Sequence, residues 1–205
     1  MEKVELTGLF NSIYAGRRVM VTGHTGFKGS WLVLWLQAMG AEVSGLALDP
    51  DTSPSHWNLL TIRGIADQRV ELRDAEAVRQ AIANQLPEII FHLAAQPLVR
   101  RGYQYPAATF AVNVLGLVNV LEAARNTDSV RVIVNATTDK VYRESSVPTG
   151  YIESDALGGY DPYSTSKVCA EWVSACYRSS FFNSGEARPH IALATARAGN
   201  VIGGG

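Results

Sequence analysis

Short apolar runs rich in β-branched residues alternate with longer segments of helical period along almost the whole chain. The pattern predicts strands over Arg18–Thr22, Glu42–Leu48, Val70–Leu72, Glu88–Ala94, Val130–Ala136 and Ile191–Arg197. Between them it predicts helices over Gly29–Met39, Glu76–Asn84, Ala107–Arg125 and Pro162–Ser180. Strands separated by helices pair in parallel through right-handed crossovers, so the expected fold class is α/β, with a doubly wound parallel (Rossmann) sheet. Ile89-Ile90-Phe91 and Val132-Ile133-Val134 are apolar at every position, as in strands covered by helices on both faces. Trp31, Leu32, Trp35, Leu36 and Met39 of the first helix are expected to pack in the core. Asp49–Ser55 and Ser145–Tyr160, rich in Pro, Gly and Ser, read as loops near the carboxyl ends of strands. No repeat, low-complexity tract or linker divides the chain.

Composition narrows the partners. The 205 residues are 47% hydrophobic and 18% charged, with a formal net charge of -1. Nothing in that balance suggests nucleic acid or an anionic membrane. The segment Met1–Gly16 lacks the basic-then-apolar order of a signal peptide. The longest apolar run, Trp31 to Leu36, is far too short to span a bilayer. Cys169 and Cys176 lie seven apart on one predicted helix, roughly 10 Å between Cα atoms, too far for a disulfide. Reduced cysteines of this kind point to a cytoplasmic protein. His24, His56, His92 and His190 are scattered without ligand spacing, so no metal is expected.

Two motifs carry chemistry. The first is Gly23-His24-Thr25-Gly26-Phe27-Lys28-Gly29, set between a strand and a helix. Glycines there permit a tight turn, a close approach of backbone to a pyrophosphate, and close packing of helix on sheet, while the helix N-terminus offers N–H groups to the phosphates. The spacing departs from the commoner G-x-G-x-x-G. Asp49 stands twenty residues after Gly29, where a carboxylate accepts from the adenosine ribose 2′-hydroxyl and favours NAD over NADP. The bland alternative is a structural turn with Asp49 merely solvated.

The second motif is Tyr163-Ser164-Thr165-Ser166-Lys167, downstream of Thr138-Asp139-Lys140. A Tyr and a Lys four apart project from one helix face. A nearby ammonium favours the phenolate and so lowers the phenol from its ordinary value near ~10. The Tyr then serves as a base for a hydroxyl whose carbon gives up a hydride. The alternatives are helix packing for Tyr163 and Lys167, and a surface ion pair for Asp139 and Lys140.

Gly23–Gly29, His92-Leu93-Ala94-Ala95-Gln96, Asn113-Val114-Leu115-Gly116, Thr138–Tyr142, Tyr163–Lys167 and Asn200-Val201-Ile202-Gly203 fall in the order seen in extended short-chain dehydrogenase/reductases, which the chain resembles. Within that superfamily it is similar to the CDP-glucose 4,6-dehydratase family, on residues 23–31, 94–100, 138–142 and 198–205. The resemblance implies NAD as cofactor and a nucleotide-sugar such as CDP-glucose as substrate. It implies oxidation at C4, loss of water across C5–C6 and return of the hydride to C6, in deoxysugar and lipopolysaccharide precursor synthesis. The 4-ketone acidifies the C5 proton, so elimination requires a temporary oxidation.

Roles carried by the resemblance follow. Tyr163 is the base at the C4 hydroxyl, Lys167 lowers its pKa and holds the nicotinamide ribose, and Thr138 bonds the C4 oxygen. Asp139 protonates the departing C6 hydroxyl. Lys140 stands where related dTDP-glucose dehydratases carry Glu; it is either a neutral base for the C5 proton or a cation that stabilises the enolate. Gly23, His24, Thr25, Gly26, Phe27 and Lys28 line the cofactor diphosphate, and Leu93, Ala94 and Ala95 admit its adenosine side. Glu71 and Leu72 sit where the family holds adenine, although Asp is usual at the first position. Gln96, Thr138 and Asn200 face substrate. Asn113 either bridges strand to helix or relays through water.

Residues 1–205 are thus expected to form an NAD-binding Rossmann domain that carries the catalytic residues, with a substrate-binding lobe expected beyond 205. Three readings stay open: a dehydratase, a nucleotide-sugar 4-epimerase or reductase on the same scaffold, and a non-catalytic NAD-binding module. A homodimer through Ala107–Arg125 and Pro162–Ser180 is expected from the family.

Overall fold

Met20 faces one side of the first strand and Val19 and Val21 the other, because successive side chains alternate across a strand. Each side seeds its own buried cluster. Val19 and Val21 pack with Val33, Leu36 and Met39 of the first helix region. Met20 packs with Ile90 and Ile133 of neighbouring strands, with Val78 and Ile82, and with Leu117, Val120 and Leu121. The expected coverage of both faces is therefore present. The computed structural model describes residues 6–144, 150–183 and 191–204; the first part of the Ser145–Tyr160 loop and His190 lie outside them.

Six strands form one parallel sheet: β1 (Arg18–Thr22), β2 (Glu42–Ala47), β3 (Ala66–Arg69), β4 (Ile89–His92), β5 (Val132–Thr138) and β6 (Ala192–Ala198). Their order is β3-β2-β1-β4-β5-β6. That order reverses between β1 and β4, the switch point where doubly wound sheets open a crevice at their carboxyl ends. The covering helices are α1 (Phe27–Ala38), α2 (His56–Leu60), α3 (Ala75–Gln85), α4 (Val99–Gln104), α5 (Pro106–Phe110), α6 (Gly116–Arg125) and α7 (Pro162–Tyr177). Asp74 caps α3 by accepting from the Ala77 N–H, and Asp161 caps α7 by accepting from Tyr163 and Ser164.

Four expectations need correction. The third strand is Ala66–Arg69, not Val70–Leu72. Among the described residues it pairs only with β2, through Ser44↔Ala66 to Ala47↔Arg69, and an edge strand is held by its backbone ladder, with charged side chains tolerated. Leu72 instead turns into the core against Gly116, where an added Cβ would lie 2.9 Å from it. Second, Trp31 and Trp35 are 46% and 45% exposed. Helix α1 buries Gly29, Ser30, Val33 and Leu36, which places the two indoles at its flank. Third, the long helix carries a π-turn, Ala111–Leu115, between α5 and α6, and α4 precedes it unforeseen. Fourth, Pro106–Arg125 is long and apolar enough to cross a membrane by length and composition alone. Its apolarity serves the core: Leu117, Val120, Leu121 and Ala124 are fully buried against the sheet and α3.

Candidate active site

The glycine turn lies at the switch point. Gly23 has φ +73°, and a Cβ there would sit 2.7 Å from the Ala94 nitrogen. A Cβ on Gly29 would sit 2.1 Å from the Gly23 oxygen. Only glycine fits either place, so the ends of β1 and β4 and the start of α1 close to backbone contact. Thr22 locks the two strands: its Oγ1 accepts from the Leu93 and Ala94 N–H groups and lies 2.8 Å from His92 Nδ1. His92 is buried and its pKa falls to about 3, chiefly through desolvation and then the charge of Lys167, so it is neutral. With two donors already on the Thr22 oxygen, the threonine hydrogen points to Nδ1.

Gly26 is the N-cap of α1 and has no side chain to cap the first-turn N–H groups. These face the crevice as donors, and Lys28 lies on the same turn. The cradle fits a dinucleotide diphosphate. Thr25 ties the turn to β2 by donating to the Leu48 oxygen at 2.9 Å. The ring of His24, expected among cofactor contacts, is fully buried and turned away: Nε2 lies 2.7 Å from Asp67 Oδ1. Its pKa is lowered, first by desolvation. Only its backbone remains for a phosphate.

Asp49 follows β2, strongly exposed, and accepts from Arg69 Nε at 2.7 Å. Glu71 is bound to Arg73 at 2.7 Å and is held below the ordinary glutamate value chiefly by that hydrogen bond. Leu72 offers the crevice no side chain, and its carbonyl accepts from Asn119. Ala94 and Ala95 are half-buried at the mouth of β4.

The second group assembles where β5 meets α7. Thr138 ends β5 and caps the short turn Asp139–Val141 by accepting from Lys140 N–H. Tyr163 and Lys167 project from the first turns of α7, and the Thr138 hydroxyl, which donates to Asp139 Oδ1 at 3.1 Å, lies close enough to act on the Tyr163 phenol. The phenol is nevertheless held above its ordinary value, first by burial and then by the charges of Asp139 and Asp161, with Thr138 opposing. This corrects the expectation that Lys167 lowers it. The Lys167 ammonium donates to the Ala136 carbonyl at 3.1 Å. Its own pKa falls to about 8, through desolvation and then the charge of Lys28, with Glu171 opposing. Lys28 and Lys167 thus face one another electrostatically across the crevice from two separate elements.

Asp139 and Lys140 are both about half exposed, 3.7 Å apart, and Lys140 Nζ reaches Asn200 Oδ1 at 3.5 Å. Of the expected substrate contacts, Gln96 is already committed: its Nε2 donates to Thr109 and its Oε1 accepts from Leu98 N–H. Asn113 sits in the π-turn, accepts from Gln96 N–H, and donates to the Gln96 carbonyl and Ser166 Oγ. It bridges β4 to α7, and π-turns of this kind recur at functional sites.

Sequence reasoning missed a buried network beneath the site. Glu171, one turn beyond Lys167, accepts from Thr137 at 2.5 Å, Thr195 at 2.8 Å and Arg197 Nε at 3.0 Å. Arg197 also lies over the Tyr142 ring at 4.9 Å, and Tyr142 stacks on Tyr151 at 4.6 Å. Arg197, Tyr142, Tyr151 and Thr195, with Asp139 and Glu153, line a cavity of about 550 Å³ beside the catalytic group. The one available signal was Glu171 at helical spacing from Lys167; its partners come from strands with no spacing to read.

The sequence profile of the GDP-mannose 4,6 dehydratase family matches residues 20–183. CDP-glucose 4,6-dehydratase of Salmonella typhimurium is 48% identical over 95% of this chain and 55% of its own length. UDP-glucose 4-epimerase of Mycolicibacterium smegmatis is 34% identical over 80% of this chain and 52% of its own. Among solved structures, UDP-glucose 4-epimerase of Thermus thermophilus in complex with NAD superposes with a TM-score of 0.76, at 31% identity, over 88% of this chain and 54% of that one. The chain spans about half the length of the relatives it matches. A match that takes in the glycine turn, the Thr138–Lys140 turn and the Tyr163–Lys167 helix shows that this chain belongs to the GDP-mannose 4,6 dehydratase family, within the extended short-chain dehydrogenase/reductases.

Proposed function

We propose that this chain carries the NAD-binding and catalytic half of a CDP-glucose 4,6-dehydratase, a lyase of deoxysugar and lipopolysaccharide precursor synthesis in the cytoplasm. One observation carries the reading: Asp139 and Lys140 stand on the turn that immediately follows Thr138, whose hydroxyl donates to Asp139 Oδ1 at 3.1 Å and acts on the Tyr163 phenol. A base for a sugar hydroxyl and a charged acid–base pair thereby share one mouth. A 4-epimerase needs the first and has no use for the second.

NAD, when bound along Gly23–Gly29, supplies the temporary oxidation at C4. The chain does the rest by position and proton transfer. Tyr163 is the acceptor for the C4 hydroxyl proton, with Thr138 on the same oxygen; its phenol, raised in the chain alone, would take that proton as the phenolate that the positive nicotinium of bound NAD favours. Lys167, half-neutral near pH 8 by its lowered pKa, holds the ribose beside it. Asp139, recharged with a proton from solvent, delivers it to the C6 oxygen as water leaves. Lys140, flanked by the oxygens of Asp139 and Asn200 at a half-exposed mouth, would stabilise as a cation the enolate charge formed at the C4 oxygen as the C5 proton passes to solvent water.

The nucleotide grip lies, on this reading, in the length of the relatives that this chain does not match. Leu115 and Trp172 leave large apolar surface on the π-turn and α7, at 60% and 59% exposure, and a homodimer would cover it. Incubation with NAD and CDP-glucose in deuterated water tests the function. Loss of one water, deuterium at C5 and no net NADH support the dehydratase. A 4-epimer without deuterium would establish the epimerase reading, and absence of NAD binding by calorimetry would remove both.

A further inference from the structure

The carboxyl ends of β1, β2 and β3 adjoin one another, and four side chains there form a single chain of contacts. Arg69, the last residue of β3, pairs in register with Ala47, two residues before Asp49. Its Nε donates to Asp49 Oδ1 at 2.7 Å. Its Nη atoms grip both oxygens of Asp67, with Nη2 to Oδ2 at 3.0 Å and Nη1 to Oδ1. Asp67 in turn accepts from His24 Nε2 at 2.7 Å, inside the glycine turn. The His24 ring cannot shift. A Cβ on Gly45 would lie 2.5 Å from it, and the Trp57 ring meets it edge-on at 4.7 Å. His24 is neutral, since desolvation outweighs its carboxylate partner. Asp67 stays ionised: desolvation is the largest influence on it, but bonds to Arg69 and His24 together prevail. With two carboxylates and one guanidinium, the cluster carries a net charge of minus one.

We propose that Arg69 sets the dinucleotide preference of this chain: it holds Asp49 toward the adenosine ribose, and it becomes a receptor for a 2′-phosphate once Asp49 is removed. This rests on the NAD site proposed above. The carboxylate of Asp49, with Oδ1 taken by Arg69 and its side chain 86% exposed, presents Oδ2 to a ribose hydroxyl. A 2′-phosphate brings a charge of about −1.5 to −2 and meets a cluster already negative, so it is repelled. Without Asp49 the same cluster is neutral. Arg69 then offers Nε beside the site of the former carboxylate, in the planar geometry that suits phosphate. Asp67 anchors the guanidinium to the buried imidazole, so Arg69 neither swings away nor needs to be ordered by ligand. Asp49 alone would read the ribose in any such fold; the fixed arginine behind it is what makes the preference reversible by one substitution.

Calorimetry of the free protein with NAD and with NADP tests this without turnover. The parent is expected to prefer NAD. Asp49→Ala is expected to shift the NADP-to-NAD affinity ratio by about 10- to 100-fold toward NADP, the range of one charge-assisted hydrogen bond. Asp49→Ala with Arg69→Met is expected to lose that gain, and Asp49→Ala with Arg69→Lys, which keeps the charge but not the fork, to retain part of it. An unchanged ratio in Asp49→Ala, or a gain that survives Arg69→Met, overturns the role of Arg69 and leaves the NAD site standing. A parent that binds neither dinucleotide overturns the NAD site itself and this inference with it.

Discussion

Replacing Glu171 by alanine is expected to destabilise the fold by about 3–5 kcal/mol, the cost of leaving a buried charge without its partner. The carboxylate is 6% exposed and Arg197 17%. It accepts four hydrogen bonds: from Thr137, Thr195, Arg197 Nε at 3.0 Å and Arg197 Nη2 at 3.2 Å. Those partners belong to β5 and β6, so one side chain of α7 ties the catalytic helix to two strands. Alanine leaves a guanidinium and two hydroxyls facing a void. With a urea dependence of roughly 2 kcal/mol per molar for a chain of this size, the midpoint should fall by roughly 2 M. The double variant Glu171→Met, Arg197→Met should recover most of that, because a buried pair exchanged for apolar packing is close to neutral.

The pH dependence has a definite sign. Burial is the strongest influence on Glu171 and pushes it up, but the bonds from Arg197, Thr137 and Thr195 together hold it below 4.5. Its contribution is complete above the unfolded value and is lost as pH falls through the folded one. The gap between parent and Glu171→Gln should therefore close on acidification below pH 4.5. A Glu171→Ala midpoint within about 0.3 M of the parent would mean that the network is solvated, and the reasoning would fail.

Three further outcomes follow from the site. Gly23→Ala is expected to abolish NAD binding by calorimetry, since φ +73° and a contact of 2.7 Å to Ala94 nitrogen both oppose a Cβ; micromolar binding in that variant would sink the cradle. Lys140→Met is expected to slow C5 hydrogen exchange by about 10²–10³-fold while Lys140→Arg keeps much of it, because a fixed cation is what the enolate needs; an arginine variant as dead as methionine would instead make Lys140 a base. For Lys167 the folded pKa, about 8, lies below the ordinary 10.5, so the buried ammonium opposes folding at neutral pH. Stability contributed by this group is complete above 10.5 and is lost as pH falls through 8. Lys167→Met should be the more stable protein at pH 7, with its advantage over the parent shrinking by about 3 kcal/mol across that window in paired urea titrations.

The alternation of strand and helix, the glycine turn and the Tyr163–Lys167 spacing were legible from residues alone, because each depends on local period or on backbone freedom within a few positions. Those signals suffice for an α/β sheet, and motif order is enough for the superfamily. The edge strand Ala66–Arg69 was not legible, because a polar segment becomes a strand only when β2 offers it a ladder. Trp31 and Trp35 misled for a related reason: hydrophobicity says that a side chain is worth burying, and packing alone says which face of α1 is against the sheet. The state of Tyr163 also belonged to the tertiary structure. Sequence spacing put an ammonium on the same helix face, yet Lys167 turned to the Ala136 carbonyl, and burial with two carboxylates decided the phenol. The clusters around Glu171 and Arg69 rest on single bonds between residues as far as 43 positions apart. A charge network of that reach has no period and no motif; its energy depends on distance and desolvation, and only the folded chain sets those.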